Sequence, residues 1–125
     1  MKKILRVLVS LLAILFVMLG LRWVTDPSAA ALTSGMQLLE GVGRSTQIAD
    51  VGALFLSLGL MILIALISGS RAWFQAPALM LLLAASLRIL AWLVHDAALP
   101  LEMIGVEVVG ASLLLLASFR LQRGG

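Results

Sequence analysis

Residues 48–94 read IADVGALFLSLGLMILIALI, then SGSR, then AWFQAPALMLLLAASLRILAWLV. A bilayer core about 30 Å thick is crossed by about 20 apolar residues in a helix. Two runs of that length, 48–67 and 72–94, stand back to back here, separated by Ser68-Gly69-Ser70 and Arg71. Outward from this pair, a third run covers 4–21 and a fourth 101–119. None of the four alternates with period two, as a β-barrel strand does. The expected fold is therefore an all-α membrane protein: one four-transmembrane-helix bundle spanning 1–125, with a short interfacial helix in the first outer loop.

Composition agrees. The chain is 62% hydrophobic and 12% charged, with a mean hydropathy of +1.17. That leaves too little polar surface to wrap a water-soluble core of this size. With no cysteine there is no disulfide framework and no thiolate chemistry. The pI of 10.7 does not point to nucleic acid, because the basic residues sit at the ends of apolar runs rather than on one soluble face.

Those basic residues set the orientation. Lys2, Lys3 and Arg6 precede or open the first span, Arg71 lies between the second and third, and Arg120 and Arg123 follow the fourth. The opposite side holds Arg22 and Arg44 against Asp26, Glu40, Asp96 and Glu102. The positive-inside rule then puts both termini in the cytoplasm, which in a bacterium means a multi-pass protein of the inner membrane. The first run is longer than the 7–15 residue core of a signal peptide, so we expect it to be a retained span.

The outer loop from Arg22 to Arg44 is too long for a plain turn. Asp26-Pro27 reads as a helix start, with Asp as N-cap and Pro at the first helical position, and Gly35 as its close. Ser45 is the expected N-cap of the second span. Trp23 and Trp92 at the outer boundary and Trp73 at the inner one fit an aromatic belt. Small residues at Ser10, Ala13 and Gly20 of the first span, and at Gly52 and Gly59 of the second, allow close helix approach. Trp23 with Asp26, and Trp92 with Asp96, form a faint echo between two helix pairs, each leading to an acid-bearing helix.

The chemistry-bearing residues are the charges inside the spans: Asp50, Arg88 and Glu107. An ionisable group at mid-membrane costs roughly 2.5–3.5 kcal/mol on insertion scales, so it is seldom idle. Counted from the outer helix ends at 1.5 Å per residue, all three fall on the order of 8–10 Å deep, in one layer. One Arg between two carboxylates is the expected arrangement, since Arg bonds carboxylates through paired donors and stays charged when buried. The layer then sums to minus one. Either Arg44 or Arg22 joins as a second cation, or one acid keeps its proton. The plain structural alternative is an ion pair that fixes which helices pack together. His95 and Asp96 form a secondary pair at the outer end of the third span; a relay or metal role is weighed there, but a lone His gives a metal site poor support. Asp26 is expected to serve as a cap, and Ser57 and Ser86 to bond between helices. No catalytic triad, phosphate loop or haem-ligating His pair is present, and no cofactor or metal is expected.

Arg22-Trp23-x-x-Asp26-Pro27 after the first span, Gly43-Arg44, and Asp50-x-Gly52-x-Leu54-Phe55-Leu56 opening the second resemble a bacterial family. It is a domain-of-unknown-function family of small four-helix integral membrane proteins, distantly similar to the DoxX-like proteins. Arg88 and Glu107 also look like that family's pattern, and the resemblance covers nearly the whole chain. It implies a four-helix inner-membrane protein with matching charges at Arg44, Asp50, Arg88 and Glu107, and it brings no activity with it.

Three functions follow as expectations. The first is a non-enzymatic bundle that binds an apolar or amphiphilic ligand, or a partner membrane protein, at its outer half; membrane lipids surround it and a homodimer is allowed. The second is a lipid- or isoprenoid-modifying enzyme in which Asp50 and Glu107 exchange protons. The third is a proton or ion pathway, which the lack of ionisable residues in the inner halves of the spans disfavours.

Overall fold

The computed structural model describes residues 1–122; Arg123 lies outside the described residues. The elements are α1 (Lys2–Thr25), α2 (Pro27–Thr33), α3 (Gly41–Thr46), a π-helical turn (Gln47–Val51), α4 (Gly52–Ser68), α5 (Arg71–Val94) and α6 (Leu101–Arg120). There is no strand among the described residues. α3, the π turn and α4 run on as one helix, Gly41–Ser68, so four helices are long and apolar enough to cross a membrane. The chain is a multi-pass, four-helix membrane bundle.

The helices form a ring in which α1 packs on α4 and α5 on α6, with the two pairs meeting more lightly along α4–α5 and α1–α6. The N-terminus, the turn at Gly69 and the end of α6 share one end, here the terminus end. The loop before α3 and the turn before α6 share the other, the loop end. Gly69 ends α4 with φ 67°, in the left-handed region that glycine enters freely.

Close backbone contact builds the α1–α4 pair, as the stripe of small residues implies. A Cβ at Gly59 would lie 2.9 Å from both the Ala13 carbonyl oxygen and the Val17 nitrogen. One at Gly20 would lie 3.0 Å from the Gly52 carbonyl oxygen. Lipid tails are as apolar as Leu, so such packing, rather than escape from water, holds membrane helices together. Both pairs are also tied at the terminus end by one arginine. Arg6 donates from Nη2 to the Leu66 carbonyl near the end of α4 at 3.0 Å. Arg71, at the start of α5, donates from Nε to the Ser118 carbonyl near the end of α6 at 3.3 Å, and its guanidinium lies 5.0 Å from the Phe119 ring centre. Each satisfies a carbonyl at the negative end of a helix dipole.

The main core fills the terminus end and the middle, from Leu5, Val9 and Phe16 through Ile62, Phe74 and Leu114. A second cluster caps the loop end of α1 and α4. There Trp23 is buried with Ala30 and Ala31, under Met36, Leu38, Ile48, Val51 and Phe55. Trp23 is therefore a core residue and not part of an interfacial belt: α2 and the segment after it fold over it. Trp73 and Trp92 remain exposed, 40% and 47%. α2 starts as expected, with the Asp26 carboxylate accepting from the Ala29 amide at 3.3 Å and Pro27 at its first position. It closes with Gly35 at φ 75°, the Gly35 amide on the Leu32 carbonyl and the Met36 amide on the Ala31 carbonyl.

Two local expectations are corrected. The second span begins at Gly41 with Glu40 as N-cap, and Ser45 lies inside α3. Ser86 donates to the Leu82 carbonyl of its own helix, and Ser57 is exposed, so neither bonds across helices. A hydroxyl on a lipid-facing position is satisfied most simply by the carbonyl four residues back.

Candidate functional site

Arg88 and Glu107 meet across the α5–α6 seam. Arg88 lies about 9 Å below the end of α5, and Glu107 about 9 Å below the start of α6, at 1.5 Å per residue. The two residues therefore stand level on adjacent antiparallel helices, within reach of their long side chains. Arg88 Nε donates to Oε1 and to Oε2 of Glu107, each at 3.0 Å. The Glu107 side chain is 11% exposed and that of Arg88 37%. Both terminal Nη groups of Arg88 make no hydrogen bond among the described residues, and neither is a sealed, unsatisfied donor. The guanidinium thus turns one edge to its carboxylate and the other to the bundle surface.

The packing around this pair is sparse. Beyond Ala85 on α5 and before Gly110 on α6, Glu107 is the only residue these two helices bury. At the same level, α1 and the π turn are sealed by the Trp23 cluster. The loop ends of α5 and α6 therefore form a hairpin joined by one ion pair, with Ala91, Met103 and Ile104 only half-buried beside it. Along its α1 side runs an open groove of about 470 Å³, lined by Leu12, Leu101, Gly105, Val106, Val109 and Leu113, with Glu102 at its rim. Nothing lies within 4 Å of a Cβ built on Gly105.

The other expected members of the charge layer stand apart. Asp50 lies on the π turn, exposed, and forms no ion pair with Arg88. The expected three-charge cluster is thus a pair plus a separate acid. Helix phase explains this: the π turn adds a residue between the start of α3 and Gly52, so Gly52 faces α1 and Asp50 faces outward. Arg44 is no second cation of the layer; its Nε donates to the Leu39 carbonyl at 2.8 Å, within its own loop. Arg22 is exposed in the last turn of α1, with no ion pair among the described residues. His95 and Asp96 are both exposed, His95 as the C-cap of α5 and Asp96 at φ 56° in the turn that follows. Among the described residues no group of three His, Cys, Asp or Glu is placed to hold a metal.

One polar residue not singled out in the sequence organises the loop end. Gln47 is buried; its Oε1 accepts from the Leu39 amide at 2.8 Å and its Nε2 donates to the Gln37 carbonyl at 3.0 Å. The side-chain amide acts as a missing strand for residues 37–39. A lone Gln just before an apolar run is the signal in the sequence, hidden because apolarity alone starts the span at Ile48.

No known protein family, no curated protein and no solved structure matches this chain.

Proposed function

We propose that this chain is a non-enzymatic binding protein of the bacterial inner membrane, with both termini in the cytoplasm, related to the small four-helix proteins distantly similar to the DoxX-like group. Its binding surface is the loop-end half of α5 and α6, on the outer side of the membrane, where an amphiphilic ligand or a partner membrane protein is held. The observation that carries this is the half-used guanidinium of Arg88. It is anchored by Glu107, leaves both Nη groups uncommitted, and stands on a hairpin that buries no apolar side chain at that level. A charge at this depth without a full set of partners marks a place where something polar is received. The apolar surface around it supplies the contact area.

The two rival functions have less support. Acid–base chemistry on an isoprenoid calls for two convergent carboxyls, but Glu107 faces Arg88 while Asp50 is exposed on another helix. An ion pathway calls for polar groups through the inner half, which is filled by Leu5, Val9, Leu66, Phe74 and Leu114.

Native mass spectrometry of protein extracted gently from its own membrane tests the proposal. Wild type is expected to carry a discrete bound molecule or partner that is lost in Arg88→Gln and Glu107→Gln while helix content is kept. Variants that retain the same bound mass as wild type, or a wild type with none, would count against it.

A further inference from the structure

We propose that the occupant of this surface is a second copy of the chain, whose Asp50 carboxylate takes the Nη groups that Arg88 leaves free. This rests on the binding surface proposed above and names what fills it. Asp50 and Arg88 are complementary and both incompletely paired: Asp50 is exposed with no ion pair among the described residues, and Arg88 gives Glu107 its Nε alone. They also lie level. Asp50 stands about 27 Å along its helix from Ser68, and Arg88 about 26 Å along α5 from Arg71, at 1.5 Å per residue. Lipid tails offer neither charge a partner at that depth, and an unpaired ion there is costly. Arg is suited to serve two carboxylates, one at Nε and one at the Nη edge.

Each copy presents Asp50 from its sealed α1–α4 side and Arg88 from its open α5–α6 side, so the contact joins unlike faces of two copies, head to tail. Arg88 lies on the least buried of the four spans, at 22%. One copy would thus complete its neighbour's site: its carboxylate caps the guanidinium, and its apolar helix face covers Leu87 and Leu90, which are 59% and 48% exposed.

The absence of cysteine makes the test direct. Two differently tagged copies are co-expressed, one carrying Ala49→Cys and the other Leu87→Cys, both at exposed positions beside the two charges. The expected result is a disulfide-linked product bearing both tags, which falls about tenfold when Asp50→Asn is added, as for the loss of a close charge pair. Asp50→Asn keeps its helix content, read by circular dichroism, because Asp50 makes no contact that holds the fold. A two-tag product indifferent to Asp50→Asn overturns the charge contact. A link formed only within a chain carrying both cysteines overturns the second copy in favour of closure inside one bundle, and no link of either kind also overturns it. Native mass spectrometry of the same samples separates this from the broader reading. A bound molecule without a two-tag product removes the second copy and leaves the surface, and the loss of both removes both.

Discussion

Arg88 reaches Glu107 with a single nitrogen, Nε, shared between both carboxylate oxygens at 3.0 Å. Among the described residues the pair is the one side-chain polar contact between the loop-end halves of α5 and α6, which fully bury no other residue at that level. It therefore has two roles that mutation can separate: it joins α5 to α6, and it holds a guanidinium edge at the bundle surface.

The joining role predicts coupling. Breaking a buried pair by removing one partner costs about 3–5 kcal/mol, and partial exposure of Arg88 lowers that toward about 2 kcal/mol. Arg88→Leu and Glu107→Leu should each destabilise, and the double variant by less than their sum, with a coupling on the order of 1–2 kcal/mol. Reversible unfolding in mixed detergent measures it. Strict additivity would mean that the pair contributes nothing as a pair.

The α1–α4 pair predicts a contrast among glycines. Gly59→Ala places a methyl 2.9 Å from backbone atoms of Ala13 and Val17. Helix backbones must part to admit it, at about 1–3 kcal/mol. Gly105→Ala meets nothing within 4 Å and gains up to about 1 kcal/mol of helix propensity. Thermal unfolding should order the proteins Gly105→Ala, wild type, Gly59→Ala, from most to least stable.

Gln47→Ala removes the acceptor for the Leu39 amide and the donor to the Gln37 carbonyl. Leaving such groups unpaired costs about 1–3 kcal/mol, paid locally because the segment has few other ties. Hydrogen exchange at residues 36–40 should rise on the order of tenfold or more, with little change in the middle of α4. Equal protection in wild type and variant would show that Gln47 does not hold the loop.

The four spans were legible in the sequence because length and apolarity alone define a membrane helix. The cap of α2 was legible because Asp-Pro and a downstream Gly are local signals. The face each charge occupies was not. Asp50, Arg88 and Glu107 share a depth, which counting gives, but meeting depends on helix phase, and the π turn at Gln47–Val51 resets the phase of the second span. Burial of Trp23 was hidden for a related reason: it needs the segment from Ala30 to Leu38 folded over it, and that fold depends on Gln47 pairing with residues 37 and 39.

The most direct test of the account is a photo-crosslinking amino acid placed in the intact membrane at Leu90 or Val106, on the loop-end hairpin, and at Ile64 or Leu79, on exposed apolar positions elsewhere. A discrete adduct is expected at Leu90 and Val106, lost in Arg88→Gln, with only diffuse lipid labelling at Ile64 and Leu79. The same diffuse labelling at all four positions would contradict it, and would leave Arg88 and Glu107 as a packing device between two helices.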